Sequence, residues 1–532
     1  MEGLLLKTAG RYLPYFAGAS FRRMNSTSVS SFPQGQIEPE IRSLLVRIRD
    51  LLTEEGIAAY LVGGFVRDVL LGRVTADIDI AVAADALEVT ERVATVLGGR
   101  AVLLDKVNKV GRVVLPDEPK PTGKGRLEID FSTFEGTIEP DLLRRDFTID
   151  AMAVDLRQMG QERIQVIDPF HGQMDQQKRI IRAVTATAFV ADPVRLLRAV
   201  RLAVELGFEI EENTETIIKR DAHLIADVAG ERVREELIRL LAVAGAGRFL
   251  SYLDDLGLLT ALFPELETAR GVTQPKEHFW DVLNHSLRAV MAVDFILRRG
   301  DWEYADAGAL AAVPWGQDLV EHFNQEISCG SRRAALLKLA ALLHDVAKPQ
   351  AKALDADGRV RFLGHPQQGA AITAGILERL RFSSREVKLV ESEVRYHLRP
   401  GQMSQEGLPT RRAIYRYFRD AGDAAIDTLF LSLADHLATR GPNFDTERWR
   451  EHTEMVAYAL AERFQEESVV HPPKLVSGDD LINLFSLSPG PKFKEVLEAV
   501  REAQAAGEVT TREEALAYIG NYPLTRSDKE NA

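Results

Sequence analysis

One cysteine, Cys329, is all the chain of 532 residues contains. An internal disulfide is therefore excluded, and no second cysteine or histidine stands near it at metal-ligand spacing. A reduced, buried thiol is expected. Apolar runs of about 18 or more are also missing, which predicts a soluble globular protein without a membrane-crossing helix. Positive charge is in short supply. Lys and Arg total 66 against 79 Asp and Glu, a net charge of −13, so broad electrostatic coating of nucleic acid is excluded and any such partner must be met by particular faces. Acidic residues are scarce in the first three dozen positions, where only Glu2 precedes Glu38 while Lys7, Arg11, Arg22 and Arg23 are present. That composition fits an organellar transit segment; the alternatives are an unstructured leader or a chain that truly begins at Met24.

The rest of the chain is long enough for several domains with ample core. From about Glu38 to Asp168 helix and strand patterns alternate. A periodic helix around Ile41 to Leu52 precedes an apolar strand near Ala58 to Val62, the pair Gly63-Gly64 and a short helix ending at Gly72. Strands follow at Ile78 to Val82, Gly111 to Leu115 and Leu127 to Phe131, with a helix near Ala86 to Leu97. Asp117 to Gly125 reads as a hairpin loop. Beyond Ile180 long amphipathic helices continue to about Leu266. A wholly helical region from about Gln274 to Arg440 follows, with a poorly patterned insert near Asp301 to Ser331 and then a tail punctuated by Pro472-Pro473 and Pro489-Gly490-Pro491.

The central chemical feature is Asp77-Ile78-Asp79-Ile80. Side chains alternate along a strand, so Asp77 and Asp79 share one face while the isoleucines enter the core. Paired hard oxygen ligands suit Mg²⁺, and two such ions activate an attacking hydroxyl and neutralise a leaving pyrophosphate. Asp130, on Glu128-Ile129-Asp130-Phe131, is the third carboxylate, with Glu128 as alternate. Gly63-Gly64 lets backbone approach phosphate, the helix beginning there points N–H groups at an anion, and Arg67 lies one turn in. Taken singly, a Gly-Gly turn is an ordinary turn and a D-x-D strand an ordinary solvated face.

In this order the residues resemble a family. Leu61-Val62-Gly63-Gly64-Phe65-Val66-Arg67-Asp68, Leu70-Leu71-Gly72 and Asp77-Ile78-Asp79 resemble the opening motif of the class II nucleotidyltransferases, the bacterial-type CCA-adding enzymes and poly(A) polymerases. Arg144-Arg145-Asp146-Phe147-Thr148-Ile149-Asp150-Ala151-Met152 resembles their second motif. Asp192-Pro193-Val194-Arg195-Leu196-Leu197-Arg198-Ala199-Val200-Arg201 resembles the nucleotide-selecting one. Three departures stand out: Asp150 where the family usually has Asn, Ala191 where it usually has Glu, and Glu135 where many members carry Arg.

The resemblance implies that Arg144 and Arg145 bind triphosphate, that Asp192 and Arg195 read the base of CTP or ATP, and that Arg198 and Arg201 orient that pair or hold phosphate. Local rules alone predict a helix with Asp192 as N-cap and Pro193 at its first position, Leu197, Val200 and Val204 facing the core and the arginines forming a basic stripe. Without the resemblance, the paired Arg and Asp would read as a domain-junction salt bridge, and the stripe as a solvated face.

A second constellation comprises His285, His344-Asp345 and Asp435, with His365 and His397. Adjacent His and Asp on one helix can hold a metal when other helices bring the remaining ligands alongside. This set resembles the HD-domain metal-dependent phosphohydrolases, with His365 and His397 serving a second metal or phosphate. His171, His223, His278, His436, His452 and His471 read as core or surface residues.

The expected fold is α+β: residues 1–37 a flexible leader, 38–170 a polymerase-β-like nucleotidyltransferase head, 171–270 an all-α neck and RNA-binding body, 271–445 an HD domain and 446–532 a helical tail. The expected function is template-independent addition of C, C and A from CTP and ATP to tRNA, with Mg²⁺ in the head, Mg²⁺ or a transition metal at the HD site, no membrane partner and a cytoplasmic location. The alternatives are a poly(A) polymerase, a phosphohydrolase centred on the HD site with a nucleotide-binding head, and a noncatalytic RNA-binding scaffold.

Overall fold

The computed structural model describes residues 32–119, 126–328, 330–403, 407–464 and 473–523. Most of the leader, the tip of the expected 117–125 loop, Cys329 and His471 fall outside these residues. The chain divides into two compact units, one ending at Leu224 and the other beginning at Ile225. The stretch 171–270, expected as one neck, is shared between them.

In the first unit, helix α1 (Pro39–Glu54) begins on a favourable N-terminal proline and buries Ile41, Leu44, Leu45, Ile48 and Leu52 at helical spacing. Strand β1 (Ala59–Val62), helix α2 (Gly64–Leu70), strand β2 (Asp77–Val82) and helix α3 (Ala86–Leu97) follow the expected order. Asp85 caps α3 by accepting from the Leu87 N–H, and Gly98 ends it in the left-handed region. Strands β3 (Arg100–Asp105), β4 (Val110–Pro119), β5 (Arg126–Thr133), β6 (Ala153–Asp155) and β7 (Val166–Ile167) complete a seven-stranded sheet of order β3-β4-β5-β2-β1-β6-β7. Of these, β3, β6 and β7 carry too weak an alternation to be legible, and part of the expected hairpin loop is strand.

The parallel pair in this sheet is β2 with β5, where Asp77 lies beside Glu128 and Asp79 beside Asp130. Ile78, Ile80, Ile129, Phe131 and Val113 are all buried in one core. Each such side chain contributes roughly 1.5–3 kcal/mol, and a one-residue slip would send all of them to the opposite face, so the register is strongly specified. The carboxylates are thereby committed to the other face. The core also takes in Phe32 and Ile37, and the Phe32 N–H donates to the Ile164 carbonyl at 2.9 Å. Residues 32–37, expected within the leader, are therefore part of the head.

The second unit is a helical body built on α5 (Val282–Ile296), α6 (Arg333–Leu343), α7 (His365–Arg379), α8 (Ser384–Tyr396), α9 (Arg411–Ala421) and α10 (Ala425–Arg440), the label α4 being kept for Arg195–Leu206 of the first unit. Helices α5, α6 and α10 are buried nearly all round, as an apolar periphery dictates. The region is not wholly helical. Glu326–Ser328 pairs with Ser331–Arg332, and Lys352–Leu354 with Val360–Phe362; the latter turn closes through Asp355, which accepts from the Asp357 and Arg359 N–H groups, with Gly358 at positive φ.

Why the Gly230–Ala242 helix belongs to this unit is set by one buried lysine. Lys338 on α6 donates to the Leu241 and Val243 carbonyls at 2.8 Å and pairs with Asp294 at 2.6 Å, satisfying that helix end. The tail helices Gly478–Phe485, Pro491–Ala505 and Arg512–Asn521 enclose a core of their own. They join α9 mainly through ion pairs, Arg412 with Glu508, Arg416 with Glu502 and Arg419 with Glu498. Among the described residues no helix is long and apolar enough to cross a membrane.

Candidate active site and candidate metal centre

Asp77 is exposed and Asp79 partly buried on the open face of the head sheet. Gly63, at φ 70°, places α2 immediately beside them, and a Cβ there would meet Arg145 Nη1 at 2.5 Å and Asp79 Oδ2 at 3.1 Å. Only glycine fits both the backbone and the space. Arg145 therefore lies over the Gly63 turn next to Asp79, with its Nη2 3.4 Å from Asp141. Burial, then Asp77, push the Asp79 carboxyl up to about 7; Arg145 opposes this and Asp130 adds to it. The site holds more negative charge than its own cations balance, which is the condition for binding divalent ions.

Asp130 is gripped by Arg112, Nε to Oδ1 at 2.7 Å and Nη2 to Oδ2 at 2.8 Å, and Arg112 Nη1 reaches Glu128 at 3.2 Å. Arg112 was not anticipated; its one signal is a lone charge in the apolar strand Gly111-Arg112-Val113-Val114-Leu115.

The Arg67 guanidinium lies beside Gly64, whose added Cβ would meet its Nη2 at 3.4 Å. It is buried and pairs with Asp150 at 2.7 Å and with Asp68 at 2.9 Å. Asp150, one of the three departures from the family pattern, is thus half of a buried ion pair. Arg144 is largely exposed, and Arg195 Nη2 donates to its carbonyl at 2.7 Å. Glu135 and Ala191 are exposed.

The nucleotide-selecting segment differs in detail from expectation. Asp192 is not the N-cap of α4; it is extended, at the end of a short helix Ala188–Ala191, and α4 starts at Arg195 behind Val194. Pro193 lacks an N–H, so the turn is made by the Arg195 and Leu196 N–H groups on the Asp192 and Pro193 carbonyls. Asp192 and Arg195 still face one another at 3.9 Å. Arg198 lies 2.7 Å from Asp146, whose carboxyl burial would raise but Arg198 and then Arg195 hold below its usual range. Arg201 is buried and pairs with Glu205 at 2.5 Å, off the expected stripe. Leu197 and Val200 are buried and Val204 partly so.

In the second unit α5, α6, α7, α8 and α10 converge. His285 Nε2 lies 3.2 Å from His344 Nε2, 3.1 Å from Asp435 and 3.4 Å from Asp345. On the far side of Asp345, its other oxygen faces His365 at 3.4 Å and His397 at 3.8 Å, and those two rings are 3.3 Å apart. His344, His365 and His397 each donate Nδ1–H to a carbonyl, of Ala341, Phe362 and Val394. That fixes the tautomer and leaves Nε2 lone pairs aimed inward, as metal-ligating histidines require. Among the described residues two groups have ligand atoms all within 4.8 Å of one another: His285, His344 and Asp435, and Asp345, His365 and His397.

Burial would push the His344 imidazolium down, but Asp345 and Asp435 outweigh it and its pKa rises to about 10. The two carboxylates thus make His344 Nε2 a place where positive charge is wanted. His278, assigned no role from sequence, lines the same cavity of about 310 Å³ with Lys348, Arg361 and His397, and stacks edge-on against His285. Lys348 is 2.6 Å from Asp345. His278 had no motif to announce it, because its neighbourhood is created by helix packing, whereas Lys348 stands three residues after Asp345.

Comparison with known proteins finds family matches along most of the chain. Residues 59–182 match the profile of the poly(A) polymerase head domain, 207–270 the probable RNA and SrmB-binding site of polymerase A, 309–440 the HD domain, and 443–519 the tRNA nucleotidyltransferase domain 2. The HD match begins after His285. The chain is 36% identical to the A-adding tRNA nucleotidyltransferase of Deinococcus radiodurans, over 87% of this chain and 94% of that protein. It is 34% identical to the CC-adding tRNA nucleotidyltransferase of Thermus thermophilus, over 87% and 93% respectively. Among solved structures, a CCA-adding enzyme in its apo form I has the same fold with a TM-score of 0.61 at 21% identity, covering 93% of this chain and 98% of that one.

Proposed function

Because the chain belongs to the family of tRNA nucleotidyltransferases with a poly(A) polymerase head, we propose that it adds C, C and A from CTP and ATP to the 3′ end of tRNA, releasing pyrophosphate, in a cytoplasmic setting. The observation that carries this reading is Asp77 and Asp79 on one strand face, with Gly63 and Arg145 against Asp79. Mg²⁺ held there by Asp77 and Asp79, with Asp130 as third carboxylate, supplies activation of the 3′ hydroxyl and neutralisation of the leaving group. Arg145 receives the triphosphate beside the Gly63 turn, and the exposed Arg144 is available to it. Asp192 accepts from the exocyclic amine of C or A and Arg195 donates to a ring acceptor, while Arg198, anchored on Asp146, keeps that pair in place. Arg67 and Arg201 act from behind as buried supports.

The test is incorporation of labelled CTP and ATP, separately and together, into tRNAs ending before the CCA, after one C and after two. Addition of C, C and A followed by a stop supports the proposal; a long A-only ladder on varied RNAs would mean a poly(A) polymerase. A second reading is partial addition, A alone or CC alone. It is favoured by the relatives of that kind spanning 87% of this chain, against 64% for the multifunctional CCA protein of Xanthomonas campestris.

For the second unit we propose a divalent-metal phosphohydrolase centre. His285, His344 and Asp435 hold one ion, His365 and His397 a second, and Asp345 lies between. The metal activates water when bound; Lys348 and Arg361 in the cavity wall receive the phosphate. Release of phosphate from phosphate esters with added Mg²⁺, Mn²⁺, Ni²⁺ or Co²⁺, lost in His344→Ala, tests it.

A further inference from the structure

Both oxygens of Asp130 are taken by a single guanidinium. Arg112 sits opposite Asp130 in the β4–β5 register, and Asp130 opposite Asp79 in the β5–β2 register, so the three side chains form one row across the open face of the sheet. The fork uses one lone pair on each Asp130 oxygen and leaves the other on each for a second interaction. A third N–H on Glu128 keeps the guanidinium plane from rotating. Without that fork, the Asp130 carboxylate beside Asp79 would be free to swing to solvent.

We propose that Arg112 is a positioning residue for nucleotidyl transfer: it holds both oxygens of Asp130 in a fixed orientation beside Asp79, and so sets the Mg²⁺ affinity of the head. Lysine cannot replace it, because a point charge fixes neither the plane nor both oxygens. The proposal rests on the reading of the head as the transfer site.

The test is a Mg²⁺ titration of CTP and ATP incorporation into tRNA lacking its 3′ CCA, with the full chain and its Arg112→Lys, Arg112→Met and Asp79→Asn variants, each shown to be folded by thermal melting. Both Arg112 variants should need about tenfold more Mg²⁺ or more for half-maximal rate, the usual effect of removing a residue that orients a metal ligand. The nucleotide KM at saturating Mg²⁺ should stay within about twofold, since no ligand contact is lost. An unchanged or lowered Mg²⁺ requirement would overturn the proposal. So would a raised nucleotide KM at saturating Mg²⁺, which would make Arg112 a direct triphosphate ligand. Full activity in Asp79→Asn would instead sink the reading of the head itself, whereas an inactive Asp79→Asn with unshifted Arg112 variants would sink only the role of Arg112.

Discussion

The carboxylate face of the head and the His/Asp cluster of the helical unit solve the problem of binding cations in opposite ways. In the head the acids come from two adjacent strands and stand on an open sheet face, where burial of Asp79 and then its neighbour Asp77 lift that carboxyl to about 7. In the helical unit the ligands come from five helices or their C-terminal ends, and all but the partly buried Asp435 are buried. Their Nε2 atoms already converge, and Lys348 lies against Asp345. An open, unbalanced site releases ions and pyrophosphate readily and suits turnover on a large RNA. The pre-organised one gathers its ligands around a cavity of about 310 Å³.

That contrast can be broken most directly by removing one acid from each site. Asp79→Asn should lower incorporation by on the order of a thousandfold or more, the several kcal/mol that metal ions contribute to such transfers. Phosphate release by the helical unit should be untouched, and loss of both together would refute the independence of the sites. His344→Ala makes the reverse test. Phosphate release should vanish while incorporation persists, and the metal-free protein should lose about 3–5 kcal/mol in denaturant melts, because Asp345 and Asp435 lose a buried partner.

A finer probe is Gly63→Ala. The added methyl meets Arg145 Nη1 at 2.5 Å and forces alanine to φ 70°, so a cost of about 1–3 kcal/mol and a raised nucleotide KM are expected, with phosphate release unchanged.

The smallest effect sharpens the comparison through pH. The raised pKa means that between about pH 4 and 7 the folded head holds a proton on Asp79 that the unfolded chain has lost. Stability in EDTA should therefore fall as pH rises through that window. Saturating Mg²⁺ should flatten the slope, and at limiting Mg²⁺ incorporation should rise toward pH 7 as the proton leaves. A slope that Mg²⁺ leaves unaltered would remove Asp79 from the metal site.

How much of this was legible follows the same division. The pair Asp77 and Asp79, the Gly63 turn, the buried Ile78 and Ile80, and helix α3 at Ala86–Leu97 were readable, since each depends on residues a few positions apart. The ligands His285, His344, Asp345, His365, His397 and Asp435 were readable as an ordered set only through resemblance. Their meeting needs five helices to pack, which no local period records. Missed altogether were Arg112 and His278, and the burial of Arg67 and Arg201 was not foreseen. In each case the deciding partner lies across a strand or helix pair, or its choice among several acids depends on burial.

By itself, then, the sequence determined which residues alternate and where glycine is required, because those are settled by bonded neighbours and short-range sterics. Tertiary structure alone decided which charges neutralise which. It set Arg112 on Asp130, Arg67 on Asp150, Lys338 on the end of the Gly230–Ala242 helix and His344 between two acids. Electrostatic interaction acts through space with a strength set by burial, and burial is a property of the whole packed unit rather than of any segment.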